Sequence, residues 1–167
     1  MYGGSVENRC RFVLEIVDAI SEVFKGYECI CVKLGPTDVL NDSVVAFEEL
    51  QDTYTYLIEE LVRRKVGIIA LSRRGANIGP EAKSSPPEYT RPDGYPLPQG
   101  YDPILDFGKM IKCPGSSSKL MATQQYTVEE ADRLVKDGKI DMVSFGRPFI
   151  QNPVSDLRKS SIIGCLI

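Results

Sequence analysis

The sequence predicts an α/β protein built on a parallel sheet, and three observations carry that prediction. Helical and strand-like segments alternate along the 167 residues. The apolar run at 66–71 is near-continuous, as expected of a strand buried on both faces. Thr127-Val-Glu-Glu130 has the pattern of a capping box that opens a helix between two such runs. Alternation of this kind implies right-handed crossovers between parallel strands. Four strands cannot close an eight-stranded barrel, which needs about 250 residues. From the pattern alone, a small open α/β sheet and half a barrel are both admissible.

Taken in order, residues 9–24 predict an amphipathic helix, with Phe12, Val13, Ile16, Val17, Ile20, Val23 and Phe24 at helical spacing and Gly26 as its stop. Residues 28–34 predict a strand closed by Gly35-Pro36. In that strand Cys29 and Cys31 flank Ile30, so both thiols are expected on one face, as core packing. Residues 47–65 predict a second helix with Leu50, Tyr54, Leu57, Ile58 and Leu61 on one side, and 66–71 the next strand. From about 72 to 108 the periodicity dissolves. Eight of the 11 prolines lie between Pro80 and Pro114, which predicts a long surface loop with a short helix near 104–111. Residues 119–123 predict a strand, the capping box opens a helix that ends at Gly138, and 140–145 is the last strand. A final helix is predicted at 153–159, with Asn152 as N-cap and Pro153 in the first helical position.

Composition excludes several function classes. With 43% hydrophobic and 26% charged residues the chain reads as an ordinary soluble domain, and a net charge of −3 gives no reason to expect nucleic acid. No apolar stretch is long enough to cross a bilayer, and the N-terminus lacks the basic and apolar regions of a signal peptide, so the expected setting is cytoplasmic, away from membranes. Five cysteines without Cys-x-x-Cys spacing argue against a disulfide framework, and no metal site is expected. The absence of histidine removes Ser-His-Asp and Cys-His catalysis and the usual imidazole base.

The most informative segment is 141–153. An apolar strand gives way to Gly146-Arg147, where glycine admits a close backbone approach and the guanidinium offers a bidentate fork to a phosphate. In isolation Gly-Arg-Pro is also compatible with a plain turn carrying a surface arginine. In barrel enzymes, the loops after the seventh and eighth strands commonly hold a cofactor phosphate.

Three separated motifs then stand in register. They are Tyr2-Gly-Gly-Ser-Val-Glu-Asn-Arg9 before the first helix, Val32-Lys-Leu-Gly-Pro36 with Asn41-Asp42, and Ser144-Phe-Gly-Arg-Pro-Phe-Ile-Gln-Asn-Pro153. Together they resemble the Old Yellow Enzyme family, FMN-dependent NAD(P)H oxidoreductases built on a (β/α)₈ TIM barrel. The resemblance runs from Tyr2 to about Arg158 and is strongest to fungal members, where such reductases often serve secondary metabolism. It implies that residues 1–167 are one partial domain, the C-terminal half of the barrel, with about four parallel strands. It also implies FMN as cofactor, NAD(P)H as reductant, and a small enone-type molecule reduced at its activated alkene.

The resemblance carries over site residues position by position. Gly146 and Arg147 match the family's phosphate segment after the last strand. Gln124 and Gln125 stand where the family has Gly-Gly or Gly-Asn after the preceding strand, so that part of the grip is expected to be weakened. Lys33 stands where the family has an arginine near the flavin pyrimidine edge; it keeps the charge and loses the planar fork. The family's substrate-binding histidine pair and proton-donating tyrosine belong to the first four strands, so no catalytic residue is assigned within this chain. The rival expectation is a non-catalytic half-barrel that associates with itself, or with another chain, through open sheet edges.

Overall fold

The computed structural model describes residues 1–39, 43–73, 91–124, 126–146 and 150. Asn41, Asp42, Gln125, Arg147, Asn152, Pro153 and the helix expected at 153–159 lie outside the described residues. The described elements alternate as α1 (Val6–Phe24), β1 (Cys31–Leu34), α2 (Phe47–Arg63), β2 (Ile68–Ser72), α3 (Pro103–Ile111), β3 (Lys119–Thr123), α4 (Val128–Lys136) and β4 (Met142–Ser144). The strands form one parallel sheet in the order β1-β2-β3-β4.

Local chemistry sets the boundaries. Ser5 extends α1 three residues beyond the expected start, its hydroxyl accepting from the Asn8 amide (3.4 Å). Lys25 ends that helix in the left-handed conformation (φ 57°), one residue before the expected glycine stop. At α4 the Thr127 hydroxyl accepts from the Glu130 amide (3.1 Å), and Gly138 (φ 68°) follows the last turn. Asp102 caps α3 by accepting from the Ile104 amide (2.9 Å), with Pro103 at the first position. The loop expected to reach 108 therefore ends at 102. Its described part, 91–102, is held in place: turns close from Tyr95 N–H to the Pro92 carbonyl and from Tyr101 N–H to the Pro98 carbonyl. The Arg91 guanidinium ties it to the Val45 carbonyl (2.6 Å), and Leu97 packs against the core.

Helices cover one face of the sheet. Val32, Leu34, Ile69, Leu71, Leu120, Ala122 and Val143 point to that side and meet Ile58, Leu61, Phe107, Ile111, Ala131 and Leu134. Gly108 lets α3 sit tightly on β3: a Cβ there would lie 2.8 Å from a Leu120 methyl. Asp141, at the approach to β4, accepts from the Leu120 amide (2.8 Å) and from the Lys112 ammonium (2.7 Å), pinning β4 to β3 and to the end of α3. The register repeats across the opposite face, where Lys33, Ala70, Met121 and Met142 form one row.

Two expectations about packing are corrected. Cys29 sits in a turn ahead of β1, closed from the Ile30 amide to the Tyr27 carbonyl (3.0 Å), so β1 begins at Cys31. Both thiols are exposed; among the described cysteines the buried one is Cys10. Helix α1 also turns most of its apolar stripe outward. Cys10, Leu14, Val17 and Ser21 are buried, whereas Phe12 (58% exposed), Ile16, Ile20, Val23 (76%) and Phe24 are not. The helix has two apolar sides, and the sheet and α2 cover only one of them. Among the described residues no helix is long and apolar enough to cross a membrane.

Candidate functional site

In parallel α/β sheets, ligand sites gather at the carboxyl ends of the strands. Here that rim is built by Ser72, Thr123 and Ser144, which share one register row at the ends of β2, β3 and β4. Two of the hydroxyls are committed to backbone. Ser72 donates to the Leu34 carbonyl (3.3 Å) and Thr123 to the Leu71 carbonyl (3.4 Å), so each stitches its strand to the preceding one.

Gln124 follows Thr123 directly, and Gly146 lies two residues beyond Ser144 on the neighbouring strand. The structure thus brings the two expected phosphate segments side by side. Gln124 takes a left-handed conformation (φ 74°), which glycine adopts freely and side chains resist. Gly146 is exposed, and among the described residues a Cβ placed on it would meet nothing within 4 Å. As far as the described residues go, the end of β4 is open to a group approaching the backbone, which fits a phosphate. Gln125 and Arg147, the other two residues of this set, lie outside the described residues. Lys33 is exposed on the face opposite the helices, in the same row as Met142 and three strands away, about 14 Å at ~4.8 Å per strand.

The left-handed Gln124 gives a stability prediction. Gln124→Gly should stabilise the fold by about 1 kcal/mol through relief of backbone strain. A higher urea midpoint at unchanged slope is the expected result; a lower one would mean that side-chain contacts of Gln124 outweigh the strain.

Sequence reasoning missed a cluster beside this turn. Arg73, the first residue past β2, pairs with Glu130 of α4 (2.8 Å) and faces Asp102 (3.7 Å). Its guanidinium lies 4.8 Å from the centre of the Tyr126 ring. Tyr126 is buried, and its hydroxyl has no hydrogen-bond partner among the described residues. Burial pushes this phenol up to about 12, Asp102 adds to the shift and Arg73 opposes it. Arg73 itself is held fully charged: burial disfavours the cation, but Glu130, Tyr126 and Asp102 together outweigh it and raise the group above its ordinary value. The only advance signal was an arginine directly after an apolar strand, combined with an acidic residue in the capping box.

A separate open groove of about 470 Å³ lies between α2 and α3, lined by Phe47, Gln51, Tyr101, Leu105, Asp106 and Lys109. Gln51 bridges the Tyr101 hydroxyl (3.0 Å) and Asp106 (2.8 Å) there. The α3 residues in it point away from the sheet, and only Asp102 at its edge is shared with the Arg73 cluster.

Comparison with known proteins matches residues 1–159 to the NADH:flavin oxidoreductase / NADH oxidase family. A Leishmania infantum protein named as a probable flavin mononucleotide-dependent alkene reductase is 27% identical over 163 residues, covering 98% of this chain and 36% of that protein. The NADP-dependent oxidoreductase lnbE of Aspergillus flavus is 27% identical over 160 residues, covering 94% of this chain and 39% of that one. Among solved structures, morphinone reductase superposes with a TM-score of 0.67 at 31% identity, over 94% of this chain and 36% of its own. The chain spans about a third of the length of the curated relatives it matches. Four parallel strands with their helices, laid over about a third of such barrel enzymes, are a half-barrel.

Proposed function

We propose that this chain, which belongs to the NADH:flavin oxidoreductase / NADH oxidase family, forms over residues 1–167 a single partial barrel domain that holds the phosphate side of FMN in an alkene reductase. The observation that carries this reading is the adjacency of β3 and β4, which end side by side with Gln124 and Gly146 at their tips. In this reading the backbone beyond β3, Gly146 and Arg147 hold the phosphate, and Lys33 lies toward the flavin ring. Bound FMN would supply hydride transfer from NAD(P)H to the β-carbon of a small, electron-poor alkene. The Cβ of each glutamine narrows the approach that glycine allows, so the grip is weaker than in relatives with a glycine there. The charge of −3 gives no electrostatic attraction to nucleic acid or an anionic membrane surface, in keeping with the cytoplasmic setting read from the sequence. A role in fungal secondary metabolism rests on the motif resemblance described above; the Aspergillus flavus relative shows that a fungal NADP-dependent oxidoreductase is similar to this chain.

The test is a titration of the chain with FMN, followed by fluorescence quenching. Arg147→Ala should weaken binding by about 1.5–3 kcal/mol, the range of a charge-assisted hydrogen bond. Equal affinity of mutant and wild type would remove Arg147 from the site.

A second reading, pairing of two copies, is favoured by the outward stripe of α1. Its exposed residues Phe12 and Phe24, Ile16 and Ile20 are placed symmetrically about Asp18. Two antiparallel copies of the helix would therefore set aromatic against aromatic and aliphatic against aliphatic, as a two-fold interface requires. Among the described residues the outer edges of β1 and β4 have no strand partner, and they add backbone groups to the same association. Sedimentation should find dimers that the double variant Ile16→Glu, Ile20→Glu converts to monomers, because charges buried without partners are costly. A monomeric wild-type chain would dismiss pairing.

A further inference from the structure

We propose that Arg73 is a positioning residue that sets the conformation of the β3–α4 turn. The role of that turn in phosphate binding rests on the reading above. The turn begins at Thr123 and reaches α4 through Tyr126 and Thr127. Arg73 grips it from both ends. Its amide donates to the Thr123 carbonyl (3.2 Å), immediately before Gln124. Its guanidinium covers the Tyr126 ring (4.8 Å) and pairs with Glu130 (2.8 Å), just after it.

The geometry is specific to an arginine. A planar cation can lie over an aromatic face while its edge reaches a carboxylate, which the point charge of lysine does less well. The side chain is three-quarters buried, so water weakens these contacts little. Asp102 adds a reference point. One of its oxygens caps α3 (2.9 Å from the Ile104 amide) and the other faces Arg73 (3.7 Å), so the first turns of α3 and α4 are both indexed to one guanidinium.

The clamp brackets Gln124, whose backbone takes a left-handed conformation that side chains resist. Glu130 also completes only half of its capping box: its amide donates to Thr127 (3.1 Å), while its carboxylate is spent on Arg73. The contact thus couples the end of β2 to the backbone that would meet an anion at the end of β3.

The experiment uses the full chain with Arg73→Met, Arg73→Lys and Glu130→Gln, read by amide hydrogen exchange and by titration with FMN. In Arg73→Met, exchange of the segment 123–127 should quicken at least tenfold while β2 and β3 exchange as in the wild type. The FMN dissociation constant should rise about tenfold, and Arg73→Lys should fall between the two. Unchanged exchange at 123–127, or a rise spread evenly over the strands, would overturn the proposal, the latter by reducing Arg73 to general stability. If Arg73→Met does not fold, Glu130→Gln, which keeps the arginine, must show the same selective quickening for the proposal to stand. Selective quickening in a chain that binds no FMN upholds the positioning role and removes the phosphate reading. Equal FMN affinity of wild type and a folded Arg73→Met overturns the proposal while leaving that reading in place.

Discussion

The 167-residue chain, supplied with FMN and NADPH in excess under anaerobic conditions, will reduce cyclohexenone no faster than free FMN does. The reaction builds negative charge on the carbonyl oxygen of the enone, and that charge needs hydrogen-bond donors fixed in place. The chain has no histidine, the residue type that supplies them in the family it resembles. Losing one such donor costs about 3–4 kcal/mol, or a factor of several hundred in rate, in comparable oxyanion sites. The four described strands also leave the sheet with two open edges, so nothing among them encloses a flavin or excludes water from the reacting atoms. Loss of NADPH followed at 340 nm decides the outcome (a free-flavin control runs alongside). Turnover well above that control would mean that paired half-barrels rebuild a site, and would favour the dimer reading.

Asp141→Ala should destabilise the fold by about 2 kcal/mol. The substitution leaves the Leu120 amide, on a strand residue that is fully buried, without its acceptor, and it strands Lys112. The figure is held down because the carboxylate keeps about a fifth of its surface in water, where ion pairs are screened. Burial pushes the Asp141 carboxyl up, but the Lys112 ammonium and the Leu120 amide together outweigh it and leave the group below its ordinary value of 3.8. A depressed folded-state value stabilises the protein above the ordinary value, and the contribution is lost as pH falls below 3.8 through the lowered one. Asp141→Asn keeps an acceptor for Leu120 and loses the ion pair, so it should cost less than alanine and flatten the acid limb of the stability curve. Urea midpoints measured between pH 3 and 6 test both statements; an acid limb identical to the wild type in the asparagine variant would assign the pH dependence to other carboxylates.

What the sequence made legible was short-range chemistry. The bounds of β3 and the Thr127 cap of α4 agree with expectation because strand alternation and a capping box are codes only a few residues long. Cys29 was misread because a turn from Tyr27 to Ile30 precedes the strand, and an apolar run does not say where hydrogen bonding to a neighbour begins. The outward face of α1 was misread for a different reason. Periodicity marks an apolar stripe without saying which neighbour covers it. In the candidate site, Gln124, Gly146 and Lys33 were proposed from motif resemblance alone, and the structure adds that the first two follow adjacent strands. Arg73 was not legible at all. Its partners Asp102, Tyr126 and Glu130 lie far along the chain and meet it only once β2 and β3 are paired.

The strand order β1-β2-β3-β4 bears on how this chain folds as it is made. Each strand pairs with the one before it in sequence, so every pairing step closes a loop of one helical unit and none waits for a distant segment. Parallel sheets are slow to form when their strands are far apart in the chain, and this arrangement keeps that separation as small as a parallel sheet permits. A ribosome delivers the units in the same order, so each new strand finds its docking edge already complete. Among the described contacts, the Asp141 clasp and the Arg73 clamp then close late, when β4 and α4 arrive on the sheet of β1, β2 and β3.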